Sequence, residues 1–191
     1  MVFNLSLQES LGYMLLFWVI LEYRIFIIQG KRPKRNDKKL IVKFAIMTFT
    51  FAITAAIFMS ISEIGDIKEY QQFFYWLGIF IMLIGVVLRQ YSMHILGNYY
   101  AATLQLQEAP KLILKGPFSL LRHPCYAGFM YALWGIGLAL LNWILLICIV
   151  AFSLTIFLIQ INVEEKNLKT FFGSDYVDYQ KRTKKIIPFI L

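Results

Sequence analysis

The feature that most constrains this 191-residue chain is a series of apolar runs separated by short polar stretches. A bilayer's hydrocarbon core, about 30 Å thick, asks for about 20 predominantly apolar residues in a helix. Runs near that length fall at 11–28, 40–61, 73–88 (extending toward 95), 125–141 and 143–161. Lipid cannot serve backbone N–H and C=O groups, and runs that are apolar on every face satisfy them as helices. The expected architecture is an all-α polytopic membrane protein: five transmembrane helices and a C-terminal cytoplasmic helical segment. Only 16% of residues are charged, where soluble domains carry about a quarter. The length suits one domain, 1–191, with 1–96 as a three-helix scaffold and 97–191 carrying the polar chemistry.

The net charge of +8 invites a nucleic-acid reading, but the basic residues cluster beside the apolar spans, as expected where membrane lipids are the partner. The stretch 30–39, GKRPKRNDKK, is the strongest orientation signal. If it lies inside, five spans put the 97–123 segment and the C-terminus inside as well. Of the 19 Lys and Arg residues, only Lys68 then lies outside. Cys125 and Cys148 both sit in apolar runs, and His94 and His123 are far apart, so neither a disulfide framework nor a metal site is expected. The opening MVFNLSLQES lacks the basic start and small-residue cleavage site of a signal peptide, so the first span is expected in the mature protein.

The last two spans form a hairpin turning at Asn142. Its feet are the stretch 115–128, KGPFSLLRHPCYAG, and the pair Glu164 and Glu165. The hairpin forces these distant segments together on one side of the membrane. Arg122 brings a permanent cation with a rigid fork of donors. His123-Pro124 starts a helix, since Pro is well placed in a first turn. Tyr126 adds a ring and a hydroxyl, and the glutamates add acceptors. Two readings follow from the residues alone. The cluster holds a zwitterionic small molecule with an aromatic part, or Arg122 pairs with a glutamate and ties the hairpin shut.

Elsewhere, Gly128, Ala132, Gly135 and Ala139 share one helical face, which suits close packing of a neighbouring helix or a ligand groove. Arg89 and His94 end the third span and read as headgroup-level residues. Residues 101–115 read as an extended or amphipathic segment on the membrane, broken by Pro110. Gly116-Pro117 is a turn signal. Residues 163–172 continue the last helix to a cap at Gly173, and 176–185 reads as a second short helix.

The run GPFSLLRHPCYAG, an apolar hairpin and then VEEKNLKTFFGSDYVDYQKRTKKIIPFI resembles the isoprenylcysteine carboxyl methyltransferase family and, more distantly, the phospholipid N-methyltransferases. The likeness covers 97–191. It rests on Gly116, Pro117, Arg122, His123, Pro124, Tyr126 and Gly128, then Glu164, Glu165, Leu168, Phe172, Gly173, Tyr176, Tyr179 and Pro188. The resemblance implies a membrane methyltransferase using S-adenosyl-L-methionine, with 97–191 as the cofactor-binding part. Carried over by position, cofactor contacts fall on Pro110, Lys111, Leu112, Ile113, Phe118, His123, Pro124, Cys125, Tyr126, Glu164 and Glu165. Arg122 and Gln160 take the catalytic positions. The implied acceptor is lipophilic, a prenylcysteine-type carboxylate or similar lipid group entering from the bilayer. A phospholipid amine and a non-catalytic membrane module are the alternatives. Three positions depart from the family pattern: Pro110 stands where His is frequent, Phe118 where Tyr is usual, and Gln160 where carboxyl methyltransferases place Arg. No Lys or Arg occurs between Arg122 and Lys166.

Overall fold

The computed structural model describes residues 5–30, 65–97 and 112–187, with side chains in the first helix from 12 to 24. The expected second span, the segment containing Pro110 and Lys111, and the final 188–191 lie outside the described residues. The chain forms two compact units, Met1–Gly65 and Asp66–Leu191. Of the first, α1 (Leu5–Gly30) is described. It is apolar on nearly every side; Trp18 is buried, while Tyr13, Phe17 and Tyr23 are exposed.

The second unit contains α2 (Gln71–Leu96), a 3-10 turn (Gly116–Ser119), α3 (Pro124–Ala139), α4 (Trp143–Phe172) and α5 (Ser174–Arg182). The described residues are thus mostly helical. α2 and α4 are long and apolar enough to cross a membrane. Their outward faces carry large apolar side chains, including Phe73, Trp76, Phe80 and Val87 on α2 and Ile147, Phe152 and Ile159 on α4. Exposed rings in such number fit a lipid solvent better than water. At 30 residues α4 runs about 45 Å, longer than the hydrocarbon core of about 30 Å. Its last turns, with Glu164 and Glu165, therefore fall beyond the apolar stretch 143–161.

α2 and α3 pack with their backbones nearly touching. A Cβ built on Gly78 would lie 2.5 Å from Ala139 N and 2.6 Å from Gly135 O. One built on Gly128 would lie 2.6 Å from Arg89 N. Gly85 meets Ala132 and Gly128 in the same way. The stripe Gly128–Ala132–Gly135–Ala139 is thus filled by α2, and of its two expected uses packing is the one observed. Small residues favour such contacts because helix backbones can approach closely.

The α3–α4 turn is fixed at two points. The Asn142 side chain accepts from Leu145 N at 3.0 Å, capping α4. It also donates to Asp66 Oδ1 at 3.2 Å, while Ile67 N donates to Leu141 O at 2.8 Å. At the other end, Gly173 (φ +56°) turns α4 into α5, as its glycine predicts. The short helix begins two residues earlier than expected, and Thr183 to Lys185 leave it as an extended strap.

Candidate active site

The site is built where the loop before α3, the lower end of α4 and the strap after α5 meet. Gly116 (φ +59°) and Pro117 start the 3-10 turn. Its end is anchored by Tyr179, whose hydroxyl donates to Phe118 O at 2.6 Å. The strap then pairs with the loop in a single parallel bridge, Leu121 with Lys184. Arg122 N donates to Lys184 O at 2.7 Å, His123 N to Lys185 O at 3.1 Å, and Lys184 N to Leu120 O at 3.1 Å. Arg122 and His123 are thereby held by backbone as well as by side chain.

Arg122 Nε donates to Glu165 Oε1 at 2.7 Å, and both side chains are 9% exposed. Arg122 Nη1 donates to Gln180 O at 3.2 Å and also to Thr183 O. The hairpin is therefore tied shut through Glu165, as one of the two sequence readings holds. Glu164 takes no part in that tie. His123 is buried; its Nδ1 lies 3.9 Å from Glu164 Oε2 and its Nε2 3.4 Å from Glu165 Oε1. The second approach lacks hydrogen-bond geometry, so His123 Nε2 has no hydrogen-bond partner among the described residues. The same is true of two other buried atoms, Glu164 Oε2 and the Tyr176 hydroxyl.

The electrostatics follow from this arrangement. Burial alone would raise the Glu165 pKa, but the His123 contact, the Arg122 hydrogen bond and the Arg122 charge outweigh it and hold the carboxyl down at about 2. Burial, followed by the Glu165 charge, pushes the Tyr176 hydroxyl well up, so it stays protonated.

From His123 a run of rings leads along the α3–α4 contact. The His123 and Tyr126 rings stack at 5.9 Å, Tyr126 meets Phe157 at 5.5 Å, and Phe157 meets Phe129 at 5.6 Å. Arg89 closes the run: its Cζ lies 4.8 Å over the Phe129 ring and its Nη1 donates to Cys125 O at 3.1 Å. Arg89 is thus half-buried, with its guanidinium turned onto α3.

Among the other predicted positions, Phe118, Pro124 and Cys125 are buried, and Ile113 is half-buried just before the turn. Leu112 packs against the Leu168, Tyr176 and Tyr179 cluster. Gln160 is half-buried on α4, three residues after Phe157 and four before Glu164, and helical spacing sets all three on one face. The residues not anticipated are Phe157 and the strap carbonyls. Tyr176 and Tyr179 stood in the motif without a role, although their spacing sets them together on one face of α5.

These features have counterparts in known proteins. Residues 76–170 match the model of the isoprenylcysteine carboxyl methyltransferase (ICMT) family. A probable protein-S-isoprenylcysteine O-methyltransferase of Oryza sativa subsp. indica is 28% identical over 170 residues, 84% of each chain. The protein-S-isoprenylcysteine O-methyltransferase of Saccharomyces cerevisiae is 34% identical over 118 residues, 60% of this chain and 48% of that one. The solved structure of a eukaryotic intramembrane Ras methyltransferase, ICMT, superposes with a TM-score of 0.67 at 25% identity. That match covers 98% of this chain and 68% of the other. On motif, fold and likeness together, the chain is similar to the isoprenylcysteine carboxyl methyltransferase family.

Proposed function

We propose that this protein transfers a methyl group from S-adenosyl-L-methionine to a carboxylate on a prenylcysteine-type acceptor, in a five-helix membrane body whose cofactor site faces the cytoplasm. The observation that carries the reading is the split between the two glutamates. Glu165 is consumed by Arg122, while Glu164 Oε2 and His123 Nε2 are buried without hydrogen-bond partners among the described residues. Buried polar groups left unpaired cost free energy, and a ligand that pairs them recovers it. A carboxylate next to an imidazole and a ring stack suits a molecule with an ammonium, an aromatic base and a sulfonium, so the residues present fit the cofactor.

Glu164 accepts from the ammonium. The Tyr126 and Phe157 rings offer faces to a cation. Leu112, Ile113 and Phe118 supply the apolar wall. Bound there, the cofactor supplies a methyl group on a positively charged sulfur, already activated toward an oxygen nucleophile. The protein's contribution is then mainly to align the two reactants and exclude water.

Arg122 positions: its guanidinium is spent on Glu165, Gln180 O and Thr183 O. The acceptor's carboxylate instead meets Arg89 at the far end of the ring run, while Gln160 orients it with a neutral amide. The apolar flanks of α2 and α4 admit a prenyl tail from the bilayer. A second reading, methylation of a phospholipid amine, is favoured by one feature, the neutral Gln160 where carboxyl methyltransferases carry Arg.

The cofactor site is tested by titrating S-adenosyl-L-methionine against the detergent-purified protein and following tryptophan fluorescence. The wild type should saturate, and Glu164→Ala should weaken binding at least about tenfold, the scale of one lost charged hydrogen bond. Equal affinity in the two proteins would show that Glu164 is not in the site.

A further inference from the structure

The hydroxyls at this end of the molecule almost all find a backbone carbonyl. Tyr179 donates to Phe118 O at 2.6 Å, Thr183 to Tyr179 O at 2.7 Å and Tyr131 to Ile186 O at 2.8 Å. Tyr176 does not. It is 1% exposed, and its hydroxyl has no hydrogen-bond partner among the described residues. Its ring is well used, packed with Leu168 and Tyr179 beneath Leu112 and meeting the Tyr179 ring at 5.9 Å. Phenylalanine would fill that space equally well. The hydroxyl therefore adds nothing to the packing and, among the described residues, is a buried polar atom left unpaired, which costs free energy.

The surroundings say what it could pair with. Glu165, Glu164 and Arg122 all lie within electrostatic range of it. Burial and the Glu165 charge keep the phenol protonated, so it acts as a donor. Glu165 is neutralised by Arg122 at 2.7 Å, which makes an anion beside Tyr176 affordable. Glu164 Oε2, also unpaired, is an acceptor. A buried donor and a buried acceptor at one foot of the hairpin match the two charged groups of an α-amino acid.

Resting on the cofactor reading above, we propose that Tyr176 is a cofactor-binding residue whose O–H donates to the carboxylate of the methionine end while Glu164 takes the ammonium. α5 then reports on the cofactor directly. The helix that carries Tyr176 is followed by the strap that holds Arg122 and His123, so the amino-acid end is gripped by the same segment that fastens the hairpin.

The test is Tyr176→Phe, with two ligands that share the adenosine but differ at the amino-acid end. S-adenosylhomocysteine has that end; 5′-methylthioadenosine lacks it. The variant should bind S-adenosylhomocysteine about tenfold more weakly, as expected for a lost hydrogen bond to a charged group. It should bind 5′-methylthioadenosine as the wild type does. Its ligand-free melting temperature should be unchanged or higher, because an unpaired buried hydroxyl has been removed. Equal loss for both ligands would place the hydroxyl at the nucleoside end, and no loss for either would leave it unused; each overturns the proposal. So would a lower ligand-free melting temperature, which marks a structural hydroxyl. Failure of the wild type to bind S-adenosylhomocysteine would overturn the cofactor reading itself.

Discussion

Arg122 and Glu165 do not merely sit near each other; each is the reason the other is tolerated in a buried position. A guanidinium 9% exposed is stable here because Glu165 Oε1, Gln180 O and Thr183 O surround it. Glu165→Gln leaves that cation without a counter-charge. Breaking such a pair costs on the order of 3 kcal/mol, so at pH 7 the variant should melt well below the wild type. The pH dependence has a definite sign. The folded-state pKa, about 2, is depressed from the ordinary 4.5. The stabilisation is therefore complete above about pH 4.5 and is lost as pH falls toward 2. Melting curves in detergent between pH 7 and 3 should show the wild type and Glu165→Gln converging as the solution becomes acidic. A gap that stays constant over that range would remove Glu165 as the titrating partner.

At the scale of helices, the α2–α3 pair depends on four glycines, Gly78 and Gly85 on α2 and Gly128 and Gly135 on α3. At Gly85 the atoms a methyl would meet are backbone atoms of Gly128 and Ala132, which cannot swing aside. Gly85→Val should destabilise the pair at the upper end of the about 1–3 kcal/mol typical of overpacking. Ile84→Val, on the exposed face one residue earlier, should change little. Thermal unfolding of the two variants in one detergent separates them, and equal stability would mean that the helices are not in close contact. This pairing was half legible in the sequence. The small-residue stripe on α3 marked a close approach, but the matching Gly78 and Gly85 did not stand out in an apolar run, and nothing in α3 names its partner. The helices themselves were legible because apolar runs bounded by Gly173 and Asn142 leave few alternatives. The strap was not. Its link to the loop is one parallel bridge between Leu121 and Lys184, and a contact that short leaves no periodic pattern. The contacts of Arg89 were hidden for a related reason: an Arg at the end of a span usually reaches for headgroups, and nothing in its own run points to the Cys125 carbonyl and Phe129 ring that it meets on α3.

Taken whole, the Asp66–Leu191 unit brings the two polar segments of the motif together through the α3–α4 hairpin and locks them with the strap. In the motif's second half Glu165 fastens the hairpin, while Glu164 Oε2 has no hydrogen-bond partner among the described residues. The chain departs from the family pattern at Gln160, where carboxyl methyltransferases place Arg, and the acceptor role proposed for Arg89 rests on that departure. The measurement that bears most directly on the central claim is methyl transfer in sealed membrane vesicles, using labelled S-adenosyl-L-methionine added outside and a prenylcysteine analogue as acceptor. Inverted vesicles should release label as a base-labile methyl ester, and right-side-out vesicles should not. Label that resists base and stays with phospholipid would contradict the carboxylate acceptor. Transfer confined to right-side-out vesicles would contradict the cytoplasmic site, and no transfer in either orientation would contradict the methyltransferase account of this chain.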